Sequence, residues 1–148
     1  MSRRRATEPT TTPAAVVERF DAERVRATRT SVRIAQAMTE AIKDCGKSRD
    51  EIAEAMSQVL GERVTVEVLY QYSSPANERN NIPAHRLMAL VAVTGDVRIL
   101  NAALQDTGFI ALDRRFEPLI RREVAKERME QLRQEVENAD AEWKAANS

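Results

Sequence analysis

The stretch Ser48–Tyr72, SRDEIAEAMSQVLGERVTVEVLYQY, decides the fold. Ser48 followed three residues later by Glu51 is the capping-box pattern that begins a helix, and Gly61 is the kind of residue that ends one. Thr65 can then cap a second, shorter helix. The connection between the two helices is short and contains a glycine, so the sequence predicts a helix-turn-helix.

Helical spacing continues on both sides of this stretch. Between Val32 and Cys45 apolar side chains recur at steps of three and four, which is typical of a helix that buries one face. Pro83 suits the first turn of a fourth helix. Ile99 and Leu104 lie in a fifth helix. We therefore predict five short helices in a compact all-α domain over residues 31–112.

The composition agrees with an all-α fold and excludes several classes of function. The 148 residues include four glycines and five prolines, too few for the turns of an all-β fold of this length. No apolar run approaches the roughly 20 residues of a membrane span, and the first residues do not resemble a secretory signal. We expect a cytoplasmic protein that does not bind a membrane.

Nothing in the sequence indicates catalysis. The single cysteine, Cys45, and the single histidine, His85, cannot build an ordinary zinc site, and we expect both to be structural. No phosphate-binding loop and no dinucleotide fingerprint is present. The sequence predicts no enzyme, no metal, no cofactor and no small-molecule substrate.

The N-terminal residues 1–30 are predicted to form a disordered basic arm and a lead-in to the domain. They contain seven arginines and four acidic residues, and residues 1–13 have no large apolar side chain to bury. Residues 14–29 are either a short amphipathic helix or an irregular lead-in. Arg3-Arg4-Arg5 is either a solubilising terminus or an arm that lies along nucleic acid.

The C-terminal segment, 113–148, is predicted to be one long oligomerisation helix from about Arg114 to Ala145. Its apolar side chains have the alternating three- and four-residue spacing of a coiled-coil seam, namely Met129, Leu132, Val136, Ala139 and Trp143. We expect a homo-oligomer, and the flanking charges favour antiparallel or staggered pairing. The alternative is a lone charged helix that is stabilised by its own ion pairs.

Helical spacing in the second helix of the helix-turn-helix directs Leu69 and Tyr72 inward. In such motifs the outer face of the second helix enters the DNA major groove. Gln71 could read adenine, Thr65 could donate to a phosphate, and Glu67 could accept from cytosine. The predicted DNA-binding residues are Arg63, Thr65, Val66, Glu67, Tyr70, Gln71, Ser74 and Arg79.

Residues 47–108 combine the patterns SRxEIAxAM, VTxxxLxxYSSP, IPAxRLxAL and TGDxRILxxAxxxxG. In this combination the chain resembles the helix-turn-helix regulators of Mu-like transposable bacteriophages, the CII-like regulatory family. The resemblance implies a transcriptional regulator whose partner is double-stranded DNA. Two alternatives remain open: a DNA-packaging subunit similar to a small terminase, and a protein–protein adaptor without DNA binding. Because residues 31–61 and 62–112 each contain four basic and five acidic side chains, we expect DNA binding by one copy to be weak and salt-sensitive.

Overall fold

All of the regular secondary structure in the described part of the chain is helical. The computed structural model describes residues 16–75 and 80–148, which contain helices and no strand. The predicted all-α fold is therefore confirmed. The helices are α1 (Thr30–Asp44), α2 (Arg49–Leu60), α3 (Val66–Tyr72), α4 (Ala84–Thr94), α5 (Arg98–Ala103) and α6 (Glu117–Ala146), with a 3-10 turn at Arg114–Phe116.

The described residues form two compact units that divide between Ala111 and Leu112. The first unit contains α1 to α5, and the second contains the 3-10 turn and α6. Helix α1 packs against α5, and α2 packs against both α4 and α3. Within the described ranges no helix combines the length and the apolar character that crossing a bilayer requires.

The core of the first unit is built from aliphatic side chains and methionines. Its fully buried members come from all five helices, because each helix contributes its apolar face. The largest of them are Met38 on α1, Ile52 and Met56 on α2, Leu69 on α3, Leu90 on α4 and Ile99 on α5.

A buried arginine joins α1 to two other parts of the first unit. Arg33 is only 1% exposed. Its Nε donates to the carbonyl oxygen of Ala102 (2.6 Å), and its Nη1 donates to those of Thr28 (2.9 Å) and Ala27 (3.3 Å). Its Nη2 lies 3.2 Å from a carboxylate oxygen of Asp106. These bonds satisfy a charge that would otherwise be costly to bury.

The segment before α1 is an irregular lead-in and not an amphipathic helix. Phe20 and Val25 pack against the core of the first unit, and the Arg98 guanidinium lies 4.1 Å from the centre of the Phe20 ring. Described residues 16–29 therefore form an irregular lead-in that packs against the first unit. The predicted arm, with Arg3-Arg4-Arg5, lies outside the described residues.

A cluster of charged side chains also attaches this lead-in to α1 and α5. Asp44 accepts hydrogen bonds from Arg24 (2.7 Å) and Arg98 (2.9 Å). Arg24, followed by Arg98, holds the pKa of the Asp44 carboxyl below its usual range. The charged form is therefore favoured by folding, and its contribution is lost when the pH falls through the lowered pKa.

Helix α6 is long and exposed: it has 30 residues, and none of them is buried. Ion pairs at steps of three and four run along it, including Arg133 with Glu130 and Glu137, and Lys144 with Asp140. Such pairs stabilise a solvated helix from within. It begins at Glu117, after the 3-10 turn, and ends at Ala146, close to the predicted bounds.

Replacing Arg33 with methionine should lower the free energy of unfolding by about 3 kcal/mol, because buried carbonyl oxygens lose their donors. Urea denaturation measures this change. The matched control is Asp106→Ala, which removes a partner whose side chain is 71% exposed and should cost less than about 1 kcal/mol. Equal stability of Arg33→Met and the wild type would contradict a structural role for this guanidinium.

Asp44→Asn should destabilise the protein most at neutral pH. The difference from the wild type should shrink as the pH falls below about 4, because the wild-type carboxylate then becomes protonated and loses the same interactions. Urea unfolding of both proteins between about pH 7 and pH 2.5 measures this difference. A difference that stays constant over that range would show that the Asp44 charge does not stabilise the fold.

Candidate nucleic-acid interface

The turn between α2 and α3 is held by one hydroxyl group. Gly61, the C-cap of α2, has a φ of 66°, a left-handed conformation that glycine adopts without strain. Beyond it Val64 returns to the core and is 5% exposed. Ser57 Oγ accepts a hydrogen bond from the Val64 backbone N–H (2.8 Å) and donates one to the Ala53 carbonyl oxygen (2.7 Å). This serine therefore fixes where α3 begins relative to α2.

Helix α3 is anchored at both ends and in its middle. At its start the Thr65 hydroxyl accepts from the Val68 backbone N–H (3.2 Å), as an N-cap does. In its middle Leu69 is fully buried. At its end the Ser73 hydroxyl donates to the Leu69 carbonyl oxygen (2.8 Å), and Thr39 of α1 donates to the Ser73 carbonyl oxygen (2.9 Å). These contacts hold the seven-residue helix α3 in one orientation relative to the rest of the first unit.

The outer face of α3 is open to solvent. Glu67, Tyr70 and Gln71 are exposed, at the positions where helical spacing directs them. Tyr70 is 57% exposed, and the Arg49 guanidinium of α2 lies 4.2 Å from the centre of its ring. Nη1 of Arg49 also donates to the Ser73 hydroxyl (3.3 Å). We define Glu67, Tyr70 and Gln71 with Arg49 as the α3 face.

Two predicted site residues lie less far outward than expected. Val66 is half-buried and packs against the core, so its predicted outward placement is wrong. Ser74 is half-buried as well. Val66 packs against the core from the first position of α3, and Ser74 lies beyond the last residue of α3, Tyr72.

The other predicted residues around α3 differ in their exposure to solvent. Arg63 is exposed in the turn before α3. Thr65 is half-buried, and its oxygen already caps the helix. Arg79 lies outside the described residues. Tyr72, predicted to be in the core, is half-buried, and its hydroxyl accepts from Arg86 Nη1 (3.1 Å).

A second charged cluster flanks the turn on the α4 side. Glu62 Oε1 lies 3.1 Å from Arg86 Nε and 3.0 Å from His85 Nε2. Arg86, followed by His85, holds the pKa of Glu62 below its usual range, and Glu62 in turn raises the pKa of Arg86. His85 therefore has a carboxylate partner, which its sequence neighbours do not indicate. The ion pair with Arg86 compensates the negative charge of Glu62 in the turn before α3.

Sequence reasoning missed Arg49 as a member of the interface. Its contact with Tyr70 joins residues 21 positions apart, whereas helical periodicity describes neighbours three or four positions apart.

The charge around the α3 face is not cationic, since residues 47–75 contain three basic and five acidic side chains. Among residues 16–75 and 80–148 no group of three or more His, Cys, Asp or Glu is arranged to hold a metal ion.

Comparison with known proteins identifies no relative of this chain. No protein-family model, no curated protein and no solved structure matches this chain. The resemblance to phage regulators therefore rests on the quoted sequence patterns and stays a prediction.

Replacing Ser57 with alanine should lower the free energy of unfolding by about 1–3 kcal/mol, because the buried Val64 N–H loses its acceptor. Thermal or urea unfolding measures the loss. Gln58→Ala, at the exposed neighbouring position on α2, is the control and should stay within about 0.5 kcal/mol of the wild type. Similar values for the two variants would mean that the turn does not depend on this hydroxyl.

Proposed function

We propose that this protein is a transcriptional regulator that binds double-stranded DNA through the α3 face, with two or more copies joined by α6. The observation that carries the proposal is the outer side of α3. It presents polar and aromatic side chains to solvent, while Ser57, Thr65 and Leu69 hold the helix against the domain. A helix supported in this way can enter a major groove without unfolding.

The side chains of the α3 face suit the edges of base pairs. The Gln71 amide has the donor and acceptor that match the N6 and N7 positions of adenine. The Glu67 carboxylate can accept from the amino group of cytosine, which compensates for its repulsion from phosphates. Tyr70 offers a ring and a hydroxyl, and Arg63 and Arg49 supply positive charge for neighbouring phosphates.

The charge balance supports binding by several copies together. Residues 31–61 contain four basic and five acidic side chains, as do residues 62–112, so one domain attracts DNA weakly. Joining two domains raises the local concentration of the second at an adjacent site, and the combined affinity can exceed that of either domain. In this proposal the exposed apolar seam of α6 supplies the joint, and the protein works in the cytoplasm of a bacterial host.

Selection from a pool of random duplexes tests the proposal directly. Immobilised full-length protein should enrich a short sequence at low salt, and the affinity for the enriched duplex should fall as the salt concentration rises. Absence of any retained duplex at low salt would refute DNA binding and favour the adaptor alternative. Enrichment without a shared sequence would refute a sequence-specific regulator and favour the packaging alternative.

Gln71→Ala and Tyr70→Ala should each weaken binding to the enriched duplex by roughly five- to a hundredfold, as expected when one base contact is lost. The free energy of unfolding should change by less than about 0.5 kcal/mol, because both side chains are exposed. Fluorescence anisotropy measures binding, and urea denaturation measures stability. The matched control, Gln105→Ala, removes an exposed glutamine from the turn after α5 and should leave affinity unchanged. Unchanged affinity in both test variants would place the interface elsewhere.

A further inference from the structure

Helix α6 presents an apolar face that nothing in the second unit covers. Met129 is 69% exposed, Leu132 51%, Val136 67% and Trp143 68%. With Ala125 and Ala139 these residues form a seam whose steps are four, three, four, three and four. In heptad notation Met129, Val136 and Trp143 are a positions, and Ala125, Leu132 and Ala139 are d positions. We call these six residues the α6 seam.

The sizes of the seam side chains do not suit a parallel pair in register. In that arrangement each side chain meets its own copy across the axis. Trp143 would then meet Trp143, while Ala125 and Ala139 would each meet an alanine and leave empty space. Small facing pairs leave voids that cost packing energy.

Reversing one helix and centring the pair on Gln134 matches large side chains with smaller ones. Every a position then faces a d position of the second helix. The facing pairs are Trp143 with Ala125, Met129 with Ala139, and Val136 with Leu132. Each layer therefore has a similar total volume, as close packing requires.

The charges beside the seam point the same way. In a parallel pair in register the flanking g and e side chains that meet are Arg121 with Lys126, Arg128 with Arg133, and Glu135 with Asp140. All of these contacts are repulsive. Flanking charges of this kind set the orientation of coiled coils.

In the antiparallel pair the outer contacts become attractive. Arg128 meets Glu142, and Lys126 meets Asp140, and the two-fold axis repeats each contact. Near the axis Glu135 and Arg133 each meet their own copies, which is repulsive but confined to the centre. The charge of the segment is also divided along its length: residues 114–133 contain seven basic and four acidic side chains, whereas residues 134–148 contain one basic and four acidic. An antiparallel pair therefore places the basic half of one helix beside the acidic half of the other.

We propose that the α6 seam binds the α6 seam of a second copy of this chain, antiparallel and centred on Gln134. The inference rests on the self-association in the proposed function but not on DNA binding. All measurements below are made on the full chain without DNA, so a failure of DNA recognition leaves their outcome unchanged.

Disulfide trapping distinguishes the two orientations. In the antiparallel register Met129 of one copy faces Ala139 of the other, whereas like positions are ten residues out of register, about 15 Å apart along the axis. A disulfide needs Cα atoms within about 7 Å of each other. Met129→Cys and Ala139→Cys are prepared separately in a Cys45→Ala background, and one of them carries a tag that changes its mass.

The mixture of Met129→Cys and Ala139→Cys should form the mixed disulfide dimer several times more efficiently than either variant forms a dimer alone. The Cys45→Ala protein is the control for cross-linking, and its circular dichroism spectrum checks the fold. Efficient dimer formation by Ala139→Cys alone would establish the parallel arrangement and overturn the proposal. A wild-type protein that sediments as a monomer at micromolar concentration would also overturn it.

Charge reversal tests the register independently. Glu142→Arg should raise the dimer dissociation constant about three- to thirtyfold, because two attractive contacts become repulsive. Adding Arg128→Glu should restore the wild-type value. Glu127→Arg changes the charge equally on the side of α6 away from the seam and should have little effect. Sedimentation equilibrium measures all four proteins, and lack of rescue in the double variant would refute the Arg128–Glu142 contact.

Discussion

A guanidinium shielded from water needs hydrogen-bond acceptors, and Arg33 obtains them from two separate stretches of the chain, residues 27–30 and residues 102–106. The carbonyl oxygens of Ala27 and Thr28 lie just before α1, and the Thr30 hydroxyl belongs to its first residue. The Ala102 carbonyl and the Asp106 carboxylate lie 69 and 73 residues after Arg33 in the sequence. The domain closes around this one group, because α1 and α5 must be adjacent for the charge to be satisfied. The apolar core then forms against that pair, and α2 and α4 position α3.

The arginines of the first unit serve the fold first. Arg24, Arg86 and Arg98 are each paired with carboxylates of the same unit, and Arg33 is buried. Such pairing compensates the charge of these arginines within the unit, and residues 47–75 themselves contain three basic and five acidic side chains. Under the proposed function, general attraction to phosphates therefore contributes little, and base contacts and the number of joined copies contribute more.

Capping residues and apolar spacing in the sequence predicted the helices, whereas contacts between residues distant in the sequence could not be predicted from them. Ser48 and Thr65 cap α2 and α3 as their spacing indicates, and Gly61 ends α2. The burial of Arg33, the pairing of His85 with Glu62, and the stacking of Arg49 on Tyr70 all depend on tertiary structure. The same limit applies to Val66, whose burial depends on how closely a two-turn helix approaches its neighbours. The outward positions of Glu67, Tyr70 and Gln71 on α3 followed from helical periodicity.

The groups that hold α3 in place are different from those that it presents to solvent. Ser57, Thr65, Leu69 and Ser73 carry its attachment, whereas Glu67, Tyr70 and Gln71 make little contribution to the core. Substitutions on the outer side are therefore nearly free of a folding penalty. Under the proposed function, substitutions at Glu67, Tyr70 or Gln71 can therefore change the base preference of α3 while the scaffold that holds the helix stays intact.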